Sequence, residues 1–192
     1  MRPTLLRASL LAAALSVCST ALAEKVKNPE FEMWSKFKPG AMSKLQGTTE
    51  AAGQKSAQTI TTKLVEANTE KCVVETTVSM EVGGQKMDMP AQKREVPAMI
   101  ENAAAPAEPG DAPVPEMKKP DIKTSEETVT VGGKSIKCVV TEMTSEQSGM
   151  KIAAKTWTST DVPGGVVKME SKTTGAMEST TTQELKEFST GG

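Results

Sequence analysis

The residues best equipped for chemistry are two cysteines in the same four-residue setting, Lys71-Cys72-Val73-Val74 and Lys137-Cys138-Val139-Val140. Thiols can join as a disulfide, ligate a metal, or attack as thiolates. The chain has no His. It therefore lacks the commonest general base, the usual triad base and the commonest metal ligand. Two thiols fall short of the four ligands of a structural zinc site, so no metal is expected. Gly132-Gly133-Lys134-Ser135 is a fragment of a phosphate loop without the first glycine or the following helix, and reads as a hairpin turn. Glu75, Glu81, Glu126 and Glu127 read as solvent-facing charges. Adjacent Ser and Lys carry little information. No catalytic residue and no cofactor are expected, and the chain does not read as an enzyme.

The elements that hold the cysteines alternate. Cys72, Val74, Thr76, Val78, Met80 and Val82 interleave with Val73, Glu75, Thr77, Ser79 and Glu81. This period of two, apolar on one side and mostly polar on the other, is that of a half-buried strand. Gly83-Gly84 supplies a turn. Ile136, Cys138 and Val140 share a side in the same way, after Gly132-Gly133. Both thiols are expected to point inward.

The two cysteines are 66 residues apart, and the same offset relates Val96-Pro97 to Val162-Pro163. The expectation is an internal duplication, with a first β unit over 24–98 and a second over 121–192, together forming one domain. A disulfide between Cys72 and Cys138 would close a loop worth roughly 4 kcal/mol by chain entropy. The alternative is two buried thiols that act as small apolar groups.

Further strands are expected near 41–50, 56–67, 85–89, 91–96, 124–131, 150–159, 165–173 and 176–188. One short helix is expected over 28–37, with Asn28 as cap and Pro29 at the first position. Its Phe31, Trp34 and Phe37 form a stripe, either a plug for one end of the sheet or a lid over a ligand groove. Residues 99–120 carry five prolines, Pro106, Pro109, Pro113, Pro115 and Pro120, and read as a disordered surface loop. The fold class expected is all-β: a curved antiparallel sheet or half-barrel of about 8–10 strands.

The first residues carry Arg2 and Arg7, an apolar run from Ala8 to Val17, and Ala21-Leu22-Ala23. This is the pattern of a secretory signal peptide spanning 1–23. The apolar run is too short for a bilayer, which needs about 20 residues. Lipidation at Cys18 is the rival reading, set against the bulky Val17 beside it. No later stretch is apolar enough to span, so the expected location is periplasmic or secreted. Cleavage would leave 21 basic against 24 acidic residues, 23 less Arg2 and Arg7, for a charge of −3. A mildly acidic chain lacks the basic surface that nucleic acid calls for.

Aromatics make up 3% of the chain and there are 12 Met, so the core is thin and adaptable. Val74, Val78, Met80, Ile136 and Val140, with Trp34 above them, are the candidate ligand-binding residues. They would hold an apolar small molecule, a lipid or a lipidated partner. The alternative is an envelope protein as partner, met by the polar face or the sheet edges.

Three stretches carry a resemblance: Phe31 to Met42, Lys137 to Glu142, and Lys155 to Ser171, which includes Val162-Pro163-Gly164-Gly165. Together they resemble a group of secreted bacterial proteins of unknown function common in planctomycetes, with a Trp-x-x-Phe-Lys-Pro-Gly opening and a late Val-Pro-Gly-Gly-Val-Val-Lys turn. The resemblance covers most of the chain after residue 23. It implies no activity and transfers no functional residue. At the level of fold, the layout is also similar to the curved half-barrels of lipoprotein carriers.

Overall fold

The computed structural model describes residues 25–101, 120–147, 149–175 and 178–192. The expected signal peptide, Cys18 and most of the 99–120 segment lie outside the described residues. The elements run β1 (Lys25–Lys27), α1 (Pro29–Trp34), β2 (Met42–Ala51), β3 (Gln54–Ala67), β4 (Lys71–Val82), β5 (Gln85–Asp88), β6 (Gln92–Pro97), β7 (Met99–Glu101), β8 (Asp121–Val131), β9 (Lys134–Gln147), β10 (Met150–Thr158), β11 (Val166–Thr174) and β12 (Ser179–Ser189). Among the described residues no helix is long and apolar enough to cross a membrane.

Ten strands form one antiparallel sheet, curved and not closed, in the order β5-β4-β3-β2-β12-β11-β10-β9-β8. β6 also pairs with β4, taking Lys71 to Thr76 of it while β5 takes Ser79 to Val82. These two short strands are one broken edge, interrupted at Met89-Pro90-Ala91. The pairing of β2 with β12 joins the two halves of the chain into a single sheet. β1 and β7 form a separate two-stranded ribbon. Met99 to Glu101, read from the sequence as the start of a disordered loop, are thus strand. Ala98 N bonds Glu70 O and Asn28 N bonds Ala98 O, which hold the ribbon against the body.

Two apolar clusters lie at the end of the sheet where α1 sits. One gathers Trp34, Ala41, Leu64, Cys72, Val74 and Val96. The other gathers Ile136, Cys138, Val140, Trp157, Val167 and Leu185, with Val131 and Val162. The helix is shorter than the 28–37 expected, ending at Trp34, so Phe37 lies in the turn beyond it; Phe31, Trp34 and Phe37 all pack in the first cluster, the plug rather than the lid arrangement.

Facing pairs across a sheet lie on the same side of it. One row runs Met80–Gln58–Gly47–Gln183–Met169–Thr156–Thr141–Thr124. Its side is called face A here, and the other side face B. On β4 the even-numbered residues lie on face A, so Cys72 and Val74 do too. On β9 the odd-numbered residues lie on face A, so Ile136, Cys138 and Val140 lie on face B, with Trp157 opposite Val140. The two thiols are both buried but point to opposite faces of one sheet.

Of the two arrangements expected for the thiols, the structure has the second: Cys72 and Cys138 are buried free thiols in different clusters, not a disulfide. The offset of 66 carries burial from one cysteine to the other but places their side chains on opposite faces. Face A of the central strands and face B of β8–β10 meet in the second cluster, where Leu45, Leu185 and Phe188 join Cys138 and Val140. The accumulated right-handed twist of a broad sheet brings opposite faces to one core in this way, and bulges increase it. One such bulge lies between β10 and β11 at Trp157/Thr158 and another between β12 and β2 at Leu185/Glu187.

Candidate functional site

Away from the helix, the burial of β9 changes sides. Ile136, Cys138 and Val140 are buried, but beyond them it is Thr141, Met143 and Ser145 that are half-buried, while Glu142, Thr144 and Glu146 are exposed. Face A is therefore the sheltered side at the hairpin end. It carries Ile60, Val78, Met80, Met143, Ile152, Ala154 and Met169, all half-buried and outside the two buried clusters. A second row, Val82–Ser56–Thr49–Thr181–Ser171–Ala154–Met143–Ile122, lies beside the first.

The polar residues on this face are largely hydroxyls and amides. Thr49 and Thr181 share a hydrogen bond of 3.2 Å, and Thr62 and Thr76 one of 3.3 Å. Gly47 leaves room for the Gln183 and Gln58 side chains: a Cβ there would lie 2.7 Å from Gln183 Cγ. The result is a shallow uncharged surface of Thr, Gln and Met, and Met side chains adapt to irregular apolar partners.

Face B at the same level is charged. Lys155 bonds Glu142 and Glu127, each at 3.0 Å, and Lys168 meets Glu170 at 2.8 Å. Trp157 lies beneath the Nζ atoms of Lys155 and Lys168, each 4.8 Å from its ring. Its Nε1 donates to Glu127 Oε2 at 2.7 Å. That bond, and then Lys155, hold the Glu127 carboxyl below its ordinary range. Glu127 is exposed, as a solvent-facing charge should be, and is also the acceptor for a buried indole two strands away. No local sequence signal marks it, because only the sheet order brings β8 and β10 to either side of β9.

A concavity of about 710 Å³ opens between α1 and the ends of β8, β9 and β10, with Met33, Glu126, Glu127, Cys138, Thr158 and Asp161 among its lining. Burial raises the Cys138 thiol, so it is not primed as a thiolate. Glu127 is already engaged. Among the described residues no three of His, Cys, Asp or Glu come together as metal ligands.

The six candidate ligand-binding residues do not share one surface. Val74 and Trp34 are packed in the first cluster, and Ile136 and Val140 in the second. Val78 and Met80 remain half-buried on face A. Sequence reasoning missed Met143, Ile152 and Met169. Their alternation with Glu, Lys and Thr was visible, but which side faced inward depended on the twist. No family model matches the chain, and no curated protein matches it.

Proposed function

We propose that this protein is an exported, non-catalytic binding module that holds an apolar or lipidated ligand against face A at the hairpin end of the sheet. The observation that carries this reading is the run of half-buried Ile60, Val78, Met80, Met143, Ile152, Ala154 and Met169 on one continuous uncharged face. Half-buried apolar side chains set among uncharged Thr, Gln and Gly offer an adaptable surface to an apolar partner. Export rests on the leader at 1–23, and the group resembled in the sequence is one of secreted proteins.

The test is native mass spectrometry of purified protein before and after delipidation, followed by incubation with an envelope lipid extract. Re-formation of a bound species is expected, and its loss in a Met143→Glu, Met169→Glu double variant of unchanged thermal stability. Indistinguishable spectra for delipidated and lipid-exposed wild-type protein would overturn the proposal.

A second reading, an envelope interaction protein, is favoured by one observation: Asp121 to Thr128 of β8 are exposed on both faces at the end of the sheet. Capture of one dominant protein from envelope fractions, without lipid, would support it over the first.

A further inference from the structure

The two edges of the sheet are built differently. The β5/β6 edge is short, broken at Pro90, and carries Lys86, Lys93 and Arg94. These are the devices by which natural edges avoid pairing. The β8 edge has no break and no proline within its length, and its charges, Asp121, Lys123, Glu126 and Glu127, are of mixed sign. It keeps an unbroken register with β9 from Asp121 to Val131, without a bulge, and its only basic residue is Lys123. Asp121 to Thr128 are all exposed, and Ile122 is 58% exposed, above every other large apolar residue among the described ones. Among the described residues nothing pairs with its outer side.

We propose that β8 pairs antiparallel with β8 of a second copy, on a two-fold axis through Ser125. Strand charges select this register. Centred on Ser125, Lys123 faces Glu127 twice, Ile122 faces Thr128, Thr124 faces Glu126 and Asp121 faces Val129. No like charges are opposed. A centre at Lys123 sets Lys123 against itself, and centres at Glu126 or Glu127 oppose those carboxylates. A centre at Thr124 sets Asp121 against Glu127. A centre at Ile122 pairs only a short segment before Pro120, which has no N–H to give. Opposite charges facing each other across a strand pair stabilise it, and like charges destabilise it. The chain's own 102–119 segment is a poor occupant, because Pro106, Pro109, Pro113 and Pro115 cannot donate to a ladder. The two-fold axis is perpendicular to the sheet, so face A of both copies lies on one side. The pairing does not depend on what face A binds.

The experiment combines sedimentation with site-directed cross-linking in a Cys18→Ala background. Directly opposed residues in an antiparallel pair have Cα atoms about 4.5–5.5 Å apart, within disulfide range. Ser125→Cys is therefore expected to give a covalent dimer on mild oxidation. Ile122→Cys should not, because its symmetry mate lies about 20 Å along the strand. Cys72 and Cys138 are buried and serve as an internal background. Wild-type protein is expected to sediment as a dimer at micromolar concentration, and Lys123→Glu to raise the dissociation constant at least several-fold. A monomer at every concentration reached, or equal cross-linking through positions 122 and 125, would overturn the proposal.

Discussion

Gly164 is packed against the indole of Trp34: a Cβ built on it would lie 2.8 Å from Cζ2 of the ring. Gly164 has φ +77°, in the left-handed region that favours glycine. It belongs to the Val162-Pro163-Gly164-Gly165 turn, where Val162 and Pro163 are fully buried. The turn thus ties the second cluster to the helix that plugs the first. Gly132 is a matched control, with φ +55° and open space around it. Gly132→Ala is expected to show backbone strain alone, about 1–3 kcal/mol. Gly164→Ala should cost clearly more, because the ring must also move. Urea unfolding of the two variants measures the difference, and equal losses would mean that the turn and helix are not coupled.

The thiols offer a second measurement. Cys72 and Cys138 are free and buried, and burial raises both above the ordinary thiol range. Reductant is therefore expected to leave the unfolding midpoint unchanged, and thiol reagents to label native protein slowly but both thiols rapidly in denaturant. Cys72→Ser places a hydroxyl in an apolar cluster and should cost about 1–3 kcal/mol if that group finds no partner. Cys72→Ala should cost less. A reductant-dependent midpoint would contradict the free-thiol arrangement.

The strands were legible where local chemistry is decisive. Gly83-Gly84 and Gly132-Gly133 turn the chain where the sequence places hairpins, and both pairs have positive φ. Alternation from Cys72 to Val82 identifies β4, and Asn28-Pro29 marks the start of α1. The ribbon of β1 and β7 was hidden, because Met99-Ile100-Glu101 has no alternation of its own and is held by a partner 74 residues earlier, Lys25 to Glu101 being 76 apart at its ends. The candidate face was hidden for a different reason. Alternation tells which residues share a side, but twist decides which side is sheltered. That decision reverses within β9 itself, between Val140 and Thr141.

Glu127 predicts a pH dependence. Its folded pKa is lowered first by the Trp157 Nε1–H bond and then by Lys155, whereas the unfolded group titrates near about 4.3. A group with a depressed folded pKa adds stability above its unfolded pKa and loses it as pH falls through the folded value. Wild-type protein is therefore expected to lose more stability than Glu127→Gln between neutral pH and the range below an ordinary glutamate. The two unfolding curves should converge at the acid end. Parallel pH profiles would show that the contact adds nothing in solution, as is common for exposed charges.

Asn28 joins three elements, and the order of its variants tests that role. Its Oδ1 accepts from Glu30 N at 3.0 Å, capping α1, while its Nδ2 donates to Pro97 O at 2.8 Å at the end of β6. The residue is buried, so neither group is readily replaced by water. Asn28→Asp retains the cap acceptor but leaves Pro97 O facing a carboxylate. Asn28→Ala loses both bonds, with a cap loss of about 0.5–2 kcal/mol and a further cost for the buried carbonyl. Arg94, held to Glu30 through both terminal guanidinium nitrogens, is a second strap between the helix and β6. The expected stability order is Asn28, then Asp, then Ala. Hydrogen exchange should rise in α1 and in the β1–β7 ribbon together for Asn28→Ala, since Asn28 N also bonds Ala98 O. Faster exchange confined to the helix would mean that the ribbon is held independently of this residue.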